Sequence, residues 1–308
     1  MSFEVIKSGP LSLIQDFGRY GQQRIGYTQG GPMDEHAFLW ANRLLGNPPG
    51  ATQIEITYGG LELRAMSATT AALTGADLGA TLNGKPVAPW FSFHLESGDR
   101  LFFNTPLKGL RAYLAVTGGL QVIPQLGSCS TVMREKIGGV DQQGGKLQQG
   151  DSIPYNGRKK SILMRVRRRY IPDYDASLNL RLMPGYQVHH FPAQSLQRLF
   201  SEQYTISQQI DRMGYRLSGV QIKCSLPGIV SEGISYGAVQ IPSDGQPIVL
   251  MKDRQTIGGY PKVGCIAALD AAQLAQRMPG ARVRFCKVQV DEIAAERLRF
   301  NHFFKLTC

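Results

Sequence analysis

The sequence predicts a mainly β fold, built as two β-rich halves with a few short helices. Short runs of β-branched and aromatic residues follow one another along 308 residues, and 35 glycines and 17 prolines interrupt them. This spacing is typical of an all-β barrel or sandwich. A hydrophobic fraction of 43% with 19% charged residues indicates a globular chain rather than a disordered one.

Turns centred on glycine precede several of the predicted strands. Segments 96–102, 148–153 and 278–285 each place a glycine before an alternating apolar run, and two of them carry the turn-forming dipeptide Gly-Asp. Their presence in both halves predicts similar β modules in each half. A further apolar run, Ile248 to Met251, predicts a buried strand.

Helix signals are few. Asp34 is placed to cap a helix that runs to about Leu45 and ends at Gly46. Asp270 is predicted to cap another helix, which runs to about Arg277 before Pro279. Shorter helices are predicted over 193–200 and 291–300.

A basic stretch marks the predicted domain boundary. We expect an N-terminal half over 1–157, a connecting segment over 158–178 and a C-terminal half over 179–308. Much of the net charge of +11 lies in residues 158–160 and 165–169, where apolar neighbours predict a strand with one basic edge. No aromatic residues interleave with these cations, so nucleic-acid binding is disfavoured. A solvated edge or a docking face for an acidic partner subunit is favoured.

Bulk features predict a cytoplasmic protein that does not enter a membrane. No apolar run approaches the roughly 20 residues that span a bilayer, and the first residues lack a basic-then-apolar signal pattern. The five cysteines contain no CxxC pair, which favours free thiols in a reducing compartment.

Several familiar chemistries are disfavoured. The chain has no GxxxxGK[ST] phosphate loop and no GxSxG elbow. The serine-rich stretch 127–131 lacks the long tract of a Ser-Ser-Lys amidase, and Lys252 lacks the context of a biotin-attachment lysine. The histidines show no HxH or HExxH spacing, so no metal site is expected.

The stretch 238–262 is the strongest candidate for a site. The predicted buried strand ends at Met251, and Asp253, Arg254 and Gln255 follow it, before Gly258-Gly259. A buried strand that delivers polar side chains into a glycine-ended loop is a common way to build a site. A salt-bridged surface turn is the alternative interpretation.

This stretch resembles the signature of the biotin-dependent carboxyltransferase family. The family includes KipA-like proteins and the C subunit of prokaryotic 5-oxoprolinase, which is also called the second subunit of allophanate hydrolase. Other blocks of the chain match the family in order, from about residue 5 to about residue 287. They are residues 9–10, 15–19, 30–34, 41–47, 54–57, 73–77, 111–116, 126–131 and 211–217.

The resemblance implies cyclophilin-like β-barrel modules in both halves and three possible functions. The first is ATP-dependent opening of 5-oxoproline to L-glutamate, together with KipI-like and LamB/YcsF-like subunits, and with ATP and Mg²⁺ shared with a partner. The second is the carboxyltransferase component of a biotin-dependent urea or amide carboxylase, with biotin supplied in trans. The third is a non-catalytic KipA-type antagonist of a KipI-like kinase inhibitor.

Polar groups that stabilise charge and orient a small amide or lactam would carry the first two functions. We predict the catalytic residues Asp253, Arg254, Gln255 and Lys262. We predict a substrate- and nucleotide-binding set of Gln15, Asp16, Arg19, Asp34, Arg212, Arg216, Ser231, Gln240, Gln246 and Tyr260. For the first-half members a structural role is favoured, because Arg–Asp pairs often lock loops.

Overall fold

The computed structural model of the protein describes residues 1–306 and forms two compact units. Unit 1 is Met1–Asp175 and unit 2 is Ala176–Cys308. The division falls inside the segment 158–178 that was predicted to connect the two halves. The basic residues of that segment therefore belong to unit 1.

Unit 1 contains eleven strands and one α-helix among its described residues. They are β1 Ser2–Ser8, β2 Leu11–Gln15, α1 Glu35–Leu45, β3 Gln53–Thr57, β4 Leu61–Ala65, β5 Thr69–Asp77, β6 Thr81–Leu82, β7 Lys85–Pro86, β8 Phe91–Leu95, β9 Arg100–Phe102, β10 Lys108–Val116 and β11 Ser152–Pro154.

Two antiparallel sheets build this unit, with strand orders β11-β1-β4-β9-β6-β7 and β2-β3-β10-β5-β8. Central strand β10 places Leu114 opposite Ile54 of β3 and Leu73 of β5. These side chains are fully buried and share one core with Phe3 and Leu63 of the other sheet. Burial of such side chains, each contributing about 1.5–3 kcal/mol, holds the two sheets together.

The capped helix predicted from Asp34 is confirmed as α1. The Asp34 carboxylate accepts a hydrogen bond from the Ala37 N–H at 3.1 Å, which satisfies one of the free donors of the first turn. Gly46 ends the helix with a φ of 63°, a left-handed conformation that glycine adopts without steric cost.

The prediction of a strand in the basic stretch is wrong. Within residues 158–175 the described backbone makes one isolated bridge, between Arg165 and Phe91, and a short 3₁₀ turn at Arg168–Tyr170. Ser92 N–H donates to Met164 O at 2.9 Å, and Val166 N–H donates to Trp90 O at 3.0 Å. The stretch thus covers the free edge of β8, and its neighbouring arginines stay exposed.

Unit 2 contains nine strands and three α-helices among its described residues. They are β12 Leu178–Pro184, α2 Ala193–Ser201, β13 Gln203–Ile210, β14 Gly214–Ser218, β15 Glu232–Gly233, β16 Ala238–Gln240, β17 Ile248–Leu250, β18 Ile257–Gly258, β19 Lys262–Ile266, α3 Ala268–Leu274, β20 Arg282–Lys287 and α4 Val290–Phe304.

Seven of these strands close into a barrel in the order β12-β19-β16-β17-β14-β13-β20. Strands β15 and β18 form a separate two-stranded ribbon. The mainly β prediction is confirmed, and so are the buried strand at 248–251 and the three strands that follow glycine turns, β9, β11 and β20. The closed barrel is formed in unit 2, whereas unit 1 arranges its strands as two sheets.

The predicted cap at Asp270 is wrong. Helix α3 begins at Ala268, and Asp270 lies inside its first turn. Its carboxylate instead accepts from the Arg181 N–H at 2.7 Å and pairs with the Arg181 guanidinium at 2.6 Å. The two weaker helix predictions are confirmed as α2 and α4, and α4 continues to Phe304. Within residues 1–306, no helix combines the length and the apolar character that crossing a bilayer requires.

Candidate functional site

A cavity of about 410 Å³, here called the first cavity, lies beside β14, β16 and β17 of the barrel. Five residues of the predicted site line it, and they come from separate parts of unit 2. They are Arg216, Gln240, Arg254, Gln255 and Tyr260. Strand β17 is buried, and it therefore holds in place the loop that follows it. The side chains of that loop reach the cavity.

Arg254 is the central group of the first cavity. Its side chain is 4% exposed, and its Nε donates to the Ile234 carbonyl at 3.0 Å while Nη1 donates to the Met251 carbonyl at 3.3 Å. Neither acceptor is a carboxylate, so these bonds orient the guanidinium without neutralising it. The Tyr236 ring, 5.9 Å from the guanidinium carbon, and the Asp253 carboxylate act on its charge from nearby, but they do not offset the effect of burial. Burial lowers the pKa of Arg254 from its ordinary value, yet an arginine stays protonated at neutral pH.

Asp253 and Arg212, both predicted site residues, pair with each other. The Arg212 Nε and Nη2 donate to the two Asp253 oxygens at 2.8 and 2.9 Å, and both side chains are buried. The backbone N–H of Asp253 also donates to the Arg212 carbonyl at 2.8 Å. This bidentate pair fastens the loop after β17 to the turn between β13 and β14.

The surroundings of three predicted binding residues, Arg216, Gln246 and Ser231, differ from one another. Arg216 forms an ion pair with Asp244. The Gln246 amide accepts from the Gly219 N–H at 2.8 Å and donates to the Gly219 carbonyl at 3.1 Å, which closes a loop. Ser231 is exposed at the start of the β15–β18 ribbon. Their binding roles stay predictions.

Lys262 lies in a second cavity, of about 390 Å³, beside β12, β16 and β19. Its Nζ pairs with the Glu232 carboxylate and donates to the Gly233 carbonyl at 3.1 Å. Tyr186 and Gln187 also hydrogen-bond this carboxylate. Arg254 binds the next carbonyl along the chain, that of Ile234, so Lys262 and Arg254 line neighbouring cavities. Their shared catalytic role stays a prediction.

The prediction omitted Tyr186 and Gln187, and it named Glu232 only among the polar groups that the second half supplies, without a role. The available signal was weak: Tyr186 follows Gly185 just after β12, at the start of a short 3₁₀ helix over Tyr186–His190. Gln187 is buried, and its amide oxygen accepts from the Lys262 N–H at 2.7 Å. A sequence separation of 75 residues hides this contact from any local pattern.

The first-half candidates are all embedded in unit 1. Both oxygens of Asp16 accept hydrogen bonds from the 128–130 loop, including the Cys129 N–H at 2.7 Å. Arg19 donates to the Ser128 carbonyl at 3.2 Å, and Gln15 to the Thr131 carbonyl at 3.1 Å. Asp34 caps α1 and accepts from the Tyr174 hydroxyl at 2.9 Å. These bonds serve the fold, and a binding role stays a prediction.

Residues 1–306 hold no cluster of three or more histidine, cysteine, aspartate or glutamate side chains arranged to bind a metal ion. The polar side chains that line the two cavities are the carboxylates of Asp211 and Glu232 and, for the rest, mainly arginine, lysine, amide and hydroxyl groups. Such groups recognise anions and polar carbonyls.

The family model for the carboxyltransferase domain, subdomain A and B, matches residues 25–287. The chain belongs to this carboxyltransferase family. The resemblance seen in the sequence blocks is thereby confirmed, and the match extends over both units.

Two bacterial relatives are similar along almost their whole length. The 5-oxoprolinase C subunit of Escherichia coli strain K12 is 35% identical over 303 residues, which cover 98% of this chain and 96% of the relative. The 5-oxoprolinase C subunit of Haemophilus influenzae is also 35% identical, over 94% of this chain and 92% of the relative.

The fold is also found inside a larger enzyme. The crystal structure of the Kluyveromyces lactis urea carboxylase matches 97% of this chain with a TM-score of 0.88 and 25% identity. The match covers 29% of that urea carboxylase chain. This chain therefore spans less than a third of the larger protein.

Proposed function

We propose that the chain is the C subunit of a 5-oxoprolinase. It acts with KipI-like and LamB/YcsF-like subunits in the ATP-dependent opening of 5-oxoproline to L-glutamate. The observation that carries this proposal is the end-to-end similarity to two proteins of that name, over 92% or more of each relative. An ATP-linked reaction of this kind also fits a cytoplasmic protein.

The chemistry explains the need for ATP. Amide resonance makes the lactam of 5-oxoproline resistant to water. Transfer of the γ-phosphoryl group to the lactam oxygen removes that resonance, and water can then open the ring at the carbonyl carbon. Overall, 5-oxoproline, ATP and two waters yield glutamate, ADP and phosphate.

The first cavity supports this proposal through the buried positive charge of Arg254, whose hydrogen-bond acceptors are backbone carbonyls. A buried guanidinium binds carboxylate or phosphate oxygens more strongly than an exposed one, because water screens it less. Arg254 is therefore the group of this chain that we assign to an anionic part of the reactants. Gln255 and Gln240 line the same cavity and supply amide donors. ATP brings Mg²⁺ bound to its phosphates, and we assign its remaining ligands to waters and the partner protein.

The test is turnover by the reconstituted three-subunit complex. We expect ADP and glutamate to form in equal amounts, only when 5-oxoproline and all three proteins are present, and with no effect of added avidin. A rate of ATP hydrolysis that is the same with and without 5-oxoproline would refute the proposal.

The similarity to the urea carboxylase supports a second candidate, carboxyl transfer from biotin to urea or another amide. A carrier protein would then supply biotin in trans. Turnover that needs bicarbonate and a biotin carboxylase, and that avidin abolishes, would favour this candidate over the oxoprolinase.

A further inference from the structure

The second cavity contains a connected set of polar groups whose bonds are all within unit 2. The Lys262 ammonium pairs with the Glu232 carboxylate and donates to the Gly233 carbonyl at 3.1 Å. Gln187 Nε2 donates to Glu232 Oε1 at 2.8 Å, and the Tyr186 hydroxyl donates to Glu232 Oε2. Lys262 and Glu232 are each partly exposed toward this cavity.

These bonds leave one donor on Lys262 and one acceptor on Glu232 unused, and the ion pair holds the two groups next to each other. An ammonium has three N–H donors, and two of those on Lys262 are used. A carboxylate accepts about four hydrogen bonds, and Glu232 receives three. The hydrogen bonds from Lys262 and Tyr186 lower the pKa of Glu232, so at neutral pH it is ionised and can only accept.

An adjacent donor and acceptor match a group that presents C=O and N–H on the same edge. A lactam has this arrangement because the ring holds its amide in the cis form, and urea has it because each nitrogen carries two hydrogens. A peptide bond does not, because its trans form points the two groups in opposite directions. The geometry therefore selects small cyclic or primary amides over peptides.

We propose that the second cavity binds the amide edge of the substrate, with Lys262 donating to the carbonyl oxygen and Glu232 accepting from the N–H. The choice of 5-oxoproline as that substrate rests on the proposed function. The ammonium polarises the carbonyl, and Tyr186 and Gln187 hold the carboxylate in place. The charge of Arg254 in the first cavity is then left for the phosphate groups of ATP.

The cavity volume allows this assignment. It is about 390 Å³, many times the ~30 Å³ that one water occupies in the liquid. Backbone at Gly185, Gly233 and Gly264 forms part of its wall, so a small planar ligand can approach the main chain closely.

The test measures ligand binding to the whole 308-residue chain by saturation-transfer NMR. The probes are 5-oxoproline, urea and N-methyl-5-oxoproline, which lacks the amide hydrogen. We expect Lys262→Met and Glu232→Gln each to weaken binding of the recognised amide by about tenfold or more. The exposed Lys287 on β20 provides a matched control, because Lys287→Met should bind normally. Thermal unfolding checks that each variant folds. If Lys262→Met does not fold, Glu232→Gln alone tests the site.

The outcomes separate this inference from the proposed function. Binding of 5-oxoproline that depends on both residues and fails for the N-methyl analogue supports the site and its lactam ligand. Binding of urea alone, with the same dependence, supports the amide site and argues against the oxoprolinase. The inference is overturned if neither amide binds, if both variants bind as the wild type does, or if the N-methyl analogue binds equally well. If both variants bind normally, or if the N-methyl analogue binds equally well, only the site assignment fails. Turnover by the complex would still be evidence for the proposed function.

Discussion

At the scale of single residues, two arginines in the same region of unit 2 serve different purposes. Arg212 and Arg254 are both about 95% buried. Arg212 meets the carboxylate of Asp253, whereas the side chain of Arg254 meets two backbone carbonyls. A buried charge whose hydrogen-bond acceptors are neutral costs stability, and the nearby Asp253 carboxylate and Tyr236 ring do not offset the effect of burial on Arg254. We therefore expect a ligand of opposite charge at this cavity wall.

Replacing Arg254 by methionine should lower turnover by the complex about 100-fold or more, because the anion loses its partner. The variant should also lose about 1–3 kcal/mol of stability, because the Ile234 and Met251 carbonyls lose their donor. Steady-state kinetics and urea unfolding measure the two effects. Arg282→Met, at an exposed position of β20, is the control and should change neither. Full turnover by Arg254→Met would show that the site lies elsewhere.

Asp253→Ala should destabilise the protein by about 3–5 kcal/mol, because it leaves the buried Arg212 guanidinium without this carboxylate. Asp244→Ala breaks the more exposed ion pair with Arg216 and should cost only about 0–1 kcal/mol. Chemical denaturation of both variants provides the comparison. Equal stability of the two would contradict a fastening role for the Arg212–Asp253 pair.

The thiol of Cys265 lies at the wall of the second cavity, and its rate of alkylation should depend on pH. Burial raises its pKa to about 11, against about 8.5 for an ordinary thiol. Because only the thiolate reacts, alkylation should be slow at pH 8 and rise about tenfold per pH unit up to pH 10. Mass spectrometry of iodoacetamide-treated protein measures the rate, with Cys265→Ser to identify the peptide. A plateau below pH 9 would be inconsistent with this environment.

At the scale of elements, the barrel depends on close backbone contact between β12 and β19. Gly264 of β19 pairs with Pro184 of β12 and has no room for a side chain. A Cβ on Gly264 would lie 2.2 Å from the Met183 carbonyl oxygen. Backbone on both sides of the contact means that no side chain can rotate away to relieve it.

Gly264→Ala should therefore destabilise unit 2 by about 2 kcal/mol or more, because β12 and β19 must separate to admit the methyl group. The matched control is Gly228→Ala, where the nearest atom would be 3.5 Å from the new Cβ, an ordinary contact. Thermal unfolding and amide exchange of β12 and β19 compare the two variants. A Gly264→Ala protein as stable as the control would exclude this packing.

At the scale of the whole molecule, the net charge of +11 is unevenly distributed. Four arginines between 165 and 169 are exposed beside the free edge of β8 in unit 1. Exposed charges of one sign attract a surface of the opposite sign and lose that attraction as salt rises. The similarity to subunits of a multi-subunit enzyme makes an acidic partner protein the natural counterpart.

Co-expression with the KipI-like protein should yield a complex that co-elutes in size-exclusion chromatography at 0.1 M salt and weakens at 1 M. Replacing Arg165, Arg167, Arg168 and Arg169 by glutamine should reduce association, since it removes the exposed charges. The control replaces the exposed Arg282 and Arg284 of β20 in the same way. A salt-independent complex that tolerates both sets would show that the basic stretch is merely solvated.

The sequence by itself determined the family, the mainly β class and most of the local elements, but not the basic stretch or the start of α3. The cap at Asp34, the stop at Gly46 and the buried strand before Asp253 all follow from residues a few positions apart, and the structure confirms each one. Only the tertiary structure decided which polar groups meet. The barrel brought Arg212 to Asp253 and Gln187 to Lys262, and it placed Arg254 and Lys262 on the adjacent carbonyls of Ile234 and Gly233. No local pattern records those contacts, because the barrel brings together residues that lie 41 and 75 positions apart in the chain.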